Sequence, residues 1–127
     1  MNGPLQLGEH IIIDLSDCDP GLLLNSDASR DFFFKSVKDA GLTIVSEGFY
    51  RFSPHGFTCF LLLAESHASL HAWPEYNYCA IDLFTCNLHM DLQPLVDILQ
   101  AHFRAGHVSI RNLSRTAQVE MEMVMHA

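Results

Sequence analysis

Apolar positions along the chain alternate between a period of two and a period of 3.6, and the switches between them predict its elements. Gly8 to Leu15 is apolar and β-branched and reads as a first strand. Asp17-Cys18-Asp19-Pro20-Gly21 has the composition of a turn. A helix follows from Ala28 to Ala40: Phe33, Val37 and Ala40 share a face, Ser26 or Asp27 caps the start, and Gly41 closes the end. Leu42 to Ser53 is a strand, bent at Gly48, and Pro54-His55-Gly56 turns it into a second strand, Phe57 to Ala64, as an antiparallel hairpin. From His67 to Trp73 the pattern alternates, with His67, Ser69, His71 and Trp73 on one side and Ala68, Leu70 and Ala72 on the other. Pro74 stops that run, and Tyr76 to Thr85 resumes as a strand.

A second helix spans Leu92 to Ala105 with Asp91 as its cap. Leu92, Leu95, Val96, Leu99 and Phe103 form a buried stripe, and Pro94 sits in the first turn, where its missing N–H does no harm. Gly106 ends it, His107 to Leu113 is a last strand, and no element is assigned from Ser114 onward. Few helices and strands joined by short turns predict an α+β fold, an antiparallel sheet with two helices packed on one face. The other face then needs cover, and its many apolar positions suit a dimer that stacks sheet on sheet.

The chain has 127 residues, the size of one domain with a full core, and 49% of them are hydrophobic. Its longest unbroken apolar run, Phe60 to Ala64, is far too short to span a membrane, and the start lacks the basic and apolar regions of a secretory signal. A cytoplasmic protein is the expectation. Fifteen acidic and seven basic residues leave a formal charge of −8. That balance argues against nucleic acid, whose binding rests on Lys and Arg at phosphates, and suits a cationic small molecule. Cys18, Cys59, Cys79 and Cys86 form no C-x-x-C pair, so a zinc knuckle has no support. Cys59 and Cys79 fall in apolar strands, whereas Cys86 ends its run, within reach of chemistry.

The densest chemistry lies in Ala64-Glu65-Ser66-His67-Ala68-Ser69-Leu70-His71-Ala72-Trp73-Pro74-Glu75. A serine hydroxyl can attack the preceding peptide carbonyl only where the backbone is strained, and the switch from strand to turn at Glu65–Ser66 is such a place. The resulting ester needs a base to take the serine α-hydrogen and expel the Glu65 carboxylate. His71 is the candidate, since histidine's ordinary pKa lies nearest neutrality. The dehydroalanine left behind hydrolyses, with loss of ammonia, to a pyruvoyl group, and cutting there gives pieces 1–65 and 66–127. The plainer reading of each residue stays open: a strand end at Ser66, a partly buried sheet histidine at His71.

This run resembles, over its whole length, the self-cleavage motif of prokaryotic S-adenosylmethionine decarboxylase proenzymes. Tyr50-Arg51-Phe52-Ser53-Pro54-His55-Gly56 resembles their turn before the cut, and Ala80-Ile81-Asp82-Leu83-Phe84-Thr85-Cys86 the strand with their catalytic cysteine. The similarity spans most of residues 8 to 110. It implies a pyruvoyl cofactor made from Ser66, a carbonyl that condenses with the substrate amine and accepts electrons as pyridoxal phosphate does elsewhere. It implies that Cys86 protonates the product carbon, that His71 serves processing, and that Thr58, where serine is commoner, assists the acyl shift. Glu75 matches a glutamate that binds ribose hydroxyls, and Phe52 an aromatic that stacks on adenine or lies near the sulfonium. Surface exposure for Glu75, core packing for Phe52 and a buried structural thiol for Cys86 are the competing readings. Asn77 and Asn87 stand where glycines are common; asparagine tolerates the left-handed turn. The resemblance also implies that cleaved pairs form a homodimer with pockets at the interface, and that the product serves spermidine synthesis.

Three rival readings have defined signatures. A metal site at His67 and His71 fails on distance, since positions four apart on a strand lie about 13 Å apart. The same pyruvoyl chemistry on arginine or ornithine would need neither Glu75 nor Phe52. A catalytically inactive regulatory relative would have no reason to keep Ser66, His71 and Cys86.

Overall fold

Burial alternates residue by residue through the middle of the chain, and that alternation sorts the side chains of one sheet onto two unlike faces. The computed structural model describes residues 2–120. Six strands, β1 (Asn2–Ser16), β2 (Ile44–Arg51), β3 (Phe57–Leu63), β4 (Ser66–Trp73), β5 (Tyr78–Thr85) and β6 (His107–Glu120), form one sheet in the order β2-β3-β4-β5-β1-β6. Every pairing is antiparallel. Helices α1 (Pro20–Leu24), α2 (Ser26–Asp39) and α3 (Gln93–His102) complete the α+β architecture.

On one face, registered rows of apolar side chains cross the central strands. Phe57, Ala72, Cys79 and Leu15 form one row; Cys59, Leu70, Ile81 and Ile13 the next; Leu61, Ala68, Leu83 and Ile11 the third. All twelve are buried. Phe33 and Val37 of α2 and Leu95, Val96 and Leu99 of α3 join them in one core, and Phe32 stacks on His102 at 3.6 Å between the two helices. Burying these side chains is the main favourable term in folding, at about 1.5–3 kcal/mol for each large one.

The opposite face carries Tyr50, Phe60, Leu62, Trp73 and Leu113, each more than a third exposed. Between them lie His10, Thr58, His67, His71, Asp82 and Phe84, by the same alternation.

The structure departs from the sequence reading mainly at element ends. β1 begins six residues earlier than expected and β6 runs to Glu120 instead of Leu113. Those extensions pair with each other along their backbones, with a bulge between Gln6 and Gly8, and β6 is exposed along most of its length. Backbone pairing of a polar edge strand leaves no hydrophobic period to read. Residues 121–127 lie outside the described region. The expected turn at 17–21 contributes instead the cap of α1: Asp19 accepts from the Gly21 N–H, and Pro20 takes the first helical position. Asp91 sits one residue further from α3 than expected, yet its carboxylate still accepts the Gln93 N–H at 3.0 Å. That helix stops at His102, before Ala105. The irregularity in β2 falls between Ile44 and Ser46, not at Gly48. A 3-10 turn at Pro74–Tyr76, ended by Asn77 with φ 52°, occupies the expected start of β5.

The two faces predict unequal costs. Leu70→Ala, in the middle row of the core, lowers unfolding free energy by about 2–5 kcal/mol, whereas Val45→Ser on exposed β2 changes it by less than about 0.5 kcal/mol. Urea unfolding of both variants checks this, and equal losses contradict the sidedness.

Candidate functional site

β4 carries candidate functional side chains at both ends. At its start, Leu63 and Ser66 close the β3–β4 hairpin, leaving Ala64 and Glu65 as the two-residue connection. Ser66 has φ 155°, a conformation that costs a residue with a Cβ about 1–3 kcal/mol and persists only where the surroundings enforce it. Three hydrogen bonds do so. Ala64 N–H donates to the Thr43 carbonyl at 2.9 Å, Thr43 N–H donates to the Glu65 carboxylate at 2.8 Å, and Cys86 N–H donates to the Glu65 carbonyl at 2.9 Å. The last of these polarises the carbonyl of the Glu65–Ser66 peptide.

The register that sets Ser66 opposite Thr85 brings Cys86 to this turn, immediately after β5. Cys86 is exposed, while Cys18, Cys59 and Cys79 are buried. Burial pushes the Cys59 thiol up to about 12. A hydrogen bond with Cys18, followed by burial, raises Cys79. The residue with the accessible thiol therefore abuts the strained turn through its backbone N–H.

At the far end of β4 a cavity of about 360 Å³ opens, within the range of small-molecule sites, lined by Phe52, His55, Thr58, His71, Trp73 and Glu75 among others. The β2–β3 loop folds over it. Phe52 N–H donates to the Gly56 carbonyl at 2.9 Å. Gly56 has φ 95°, and a Cβ there would lie 3.0 Å from the Ala72 carbonyl oxygen, so glycine lets the loop seat against β4. Thr58 and His71 are cross-strand partners, and Thr58 Oγ1 lies 3.0 Å from His71 Nδ1. That contact orients the ring and leaves Nε2 for proton transfer. His55 Nε2 lies 2.5 Å from Glu75 Oε2.

The structure therefore divides the residues expected from the sequence into two groups. Phe52, Thr58, His71 and Glu75 share the cavity; Phe52 is 51% exposed, so core packing is not its role. Glu65, Ser66 and Cys86 share the turn. Five residues of extended strand separate Ser66 from His71, about 16 Å. Sequence reasoning missed His55, because nothing local shows that a turn histidine will meet Glu75. It missed Thr43 and the Cys86 N–H, because backbone donors carry no residue signature.

A further cluster lies on the helix-free face, where His10, His67 and Asp82 come from three adjacent strands. Their donor atoms lie within 4.8 Å of one another. His67 therefore meets His10 and Asp82, not His71. Arg115 Nη1 donates to His10 Nδ1 at 3.2 Å, so the His10 proton resides on Nε2 and goes to Asp82. This is an arginine–histidine–carboxylate hydrogen-bond chain, flanked by Phe60 and Phe84 stacked on His67. No helix among the described residues is long and apolar enough to cross a membrane.

Comparison with known proteins gives a consistent set of matches. A family model described as S-adenosylmethionine decarboxylase matches residues 9–116. The chain is 32% identical over 120 residues to an S-adenosylmethionine decarboxylase proenzyme of Thermococcus gammatolerans, covering 94% of this chain and 84% of the relative. It is 40% identical over 104 residues to the protein of that name from Fervidobacterium nodosum, covering 82% and 76%. For the one from Acidithiobacillus ferrooxidans the identity is 37% over 115 residues, covering 91% and 86%. A crystal structure of the adenosylmethionine decarboxylase from Aquifex aeolicus superposes with a TM-score of 0.81 at 32% identity, covering 91% of this chain and 94% of that one.

The turn geometry makes a prediction about acid. The Thr43 N–H, the largest influence on Glu65, holds its carboxyl below the usual carboxylate range. A lowered folded-state pKa means that the tether stabilises the turn above the ordinary glutamate pKa and is lost as pH falls through the lowered value. An NMR titration of Glu65 should give a pKa below that of an ordinary glutamate; a value at or above it contradicts the tether.

Proposed function

The chain belongs to the S-adenosylmethionine decarboxylase family, and on that premise we propose that its site is self-made and shared between two copies. The family's reaction is decarboxylation of S-adenosylmethionine for polyamine synthesis, and its proenzyme naming implies self-processing to a pyruvoyl enzyme. In our reading residues 1–127 are a single proenzyme domain that cuts itself into 1–65 and 66–127. The Cys86 N–H on the Glu65 carbonyl is the single observation that carries this reading.

The turn fits the demands of that cut. Ser66 Oγ adds to the Glu65 carbonyl carbon, and the oxygen that gains charge already accepts the Cys86 N–H, in the manner of an oxyanion hole. Expulsion of the Ser66 nitrogen gives the ester and relieves the φ of 155°. Removal of the serine α-hydrogen then expels the Glu65 carboxylate. Hydrolysis of the resulting dehydroalanine consumes water and releases ammonia, leaving the pyruvoyl group at residue 66. That group supplies a carbonyl electrophile to hold the electron pair left when carbon dioxide departs.

The base for the α-hydrogen is His71 of a second copy, because the same chain's His71 is about 16 Å away along the strand. Thr58 orients that ring and its hydroxyl assists the acyl shift; the extra methyl of threonine stiffens it relative to serine. Two copies joined through their helix-free faces, which carry Phe60, Leu62 and Leu113 exposed, bring each cavity to the partner's turn. Glu75 accepts from the ribose hydroxyls, and Phe52 stacks on adenine or meets the sulfonium. Arginine and ornithine offer neither a diol nor an aromatic ring to those two residues, so S-adenosylmethionine is the substrate they select. Cys86, exposed beside residue 66, delivers the proton to the product carbon. The cytoplasm, where thiols stay reduced, is the compartment that suits it.

Two variants separate the steps. Ser66→Ala stays at full length by mass spectrometry and releases no carbon dioxide from S-adenosylmethionine; activity in that uncut chain overturns the cofactor assignment. Cys86→Ala keeps its backbone N–H, cuts itself normally, and turns over about 10²–10⁴-fold more slowly, the usual span for a lost general acid. Loss of cutting with intact turnover contradicts the role given to the thiol.

A further inference from the structure

We propose that His55 is a positioning residue for substrate binding: it donates its Nε2–H to one oxygen of Glu75 and leaves the other oxygen aimed at the ligand's hydroxyls. The inference rests on the reading of Glu75 as the acceptor for the ribose diol, and it adds a residue outside the motif that suggested that reading.

The geometry that supports it is local. His55 Nε2 and Glu75 Oε2 are 2.5 Å apart, and both groups line the cavity that holds Thr58, His71 and Phe52. Each side chain is only about one-third exposed, 35% for His55 and 37% for Glu75, so the pair is partly shielded from water. The two residues come from different elements. His55 belongs to the β2–β3 loop, and Glu75 to the 3-10 turn after β4. Glycine at position 56 lets that loop seat against Ala72, and the Phe52 N–H to Gly56 carbonyl bond closes it, so His55 is presented by a constrained backbone.

A carboxylate on a short turn has free rotation about its last two bonds and, unaided, samples many orientations. Binding a diol requires one of them. A donor fixed to one oxygen removes that freedom before the ligand arrives, which strengthens binding by preorganisation without adding a contact to the ligand. The contact is made by an N–H in either charge state of the imidazole, so it does not depend on His55 being protonated. His55 touches neither the turn at Ser66 nor Cys86, and its effect belongs to affinity, not to the bond-breaking steps.

The test compares His55→Ala, His55→Gln and Glu75→Gln in the self-processed enzyme. His55→Ala raises KM for S-adenosylmethionine about ten-fold, with kcat and the extent of self-cleavage unchanged. His55→Gln, which keeps an N–H donor, recovers most of that loss. With the 2′-deoxyribose analogue of the substrate, His55→Ala and wild type differ by less than two-fold, because one of the hydroxyls Glu75 is held for is gone. A fall in kcat with KM unchanged, equal losses on both substrates, or no rescue by glutamine each overturns the proposal. Failure of the underlying reading looks different: Glu75→Gln then leaves KM for S-adenosylmethionine at the wild-type value. If Glu75→Gln raises KM and His55→Ala does not, the diol reading stands and the role of His55 falls.

Discussion

An extended strand cannot bring its two ends together, and β4 has chemistry at both. Ser66 begins it and His71 lies five residues on, so the strand's rise sets them about 16 Å apart. Every other feature of the site follows from that separation. The turn at Ser66 has its own hydrogen-bond donors, from Thr43 and Cys86, and the cavity at His71 has its own, from Thr58 and His55. In the function proposed above, each is half of a site. A second copy is the simplest way to complete both halves at once.

The alternation along its strands leaves this sheet a face that the proposed second copy would cover. The three core rows consume one side of β1, β3, β4 and β5 against α2 and α3. What remains on the other side is a mixture of large apolar groups and the His10–Asp82–His67 chain. Within one copy Arg115 donates to His10 and His10 to Asp82, so those two links of the cluster are made without a partner. Apolar surroundings with a polar centre make a face whose burial is specific in register.

Much of this was legible in the sequence where a side chain's own period or chemistry carried the signal. The apolar stripe of α3 and the alternation of His67 to Trp73 placed those elements within a few residues. The Glu65–Ser66 run, with Cys86 after its strand, identified the turn. Illegible were the contacts that depend on which strands become neighbours. His67 was weighed against His71, four positions along the same strand, when its partners come from β1 and β5. The pairing of polar β6 with the start of β1 has no periodic signature, and the short helix after Pro20 hides among turn residues that serve as its cap. The split of the site into two groups was already implicit in spacing and strand geometry, but only the register shows that Thr58 belongs with His71 and Cys86 with Ser66.

The shared site is tested most directly by complementation between two variants that each lack one half. Ser66→Ala keeps His71 but has nothing to cut; His71→Ala keeps Ser66 but lacks the base. Refolded together with distinguishable tags, the two should form mixed pairs in which the His71→Ala chain alone splits into fragments 1–65 and 66–127, while each variant refolded by itself stays whole. Mixed pairs recovered through both tags yet uncut, or a His71→Ala chain that cuts itself unaided, would contradict the account.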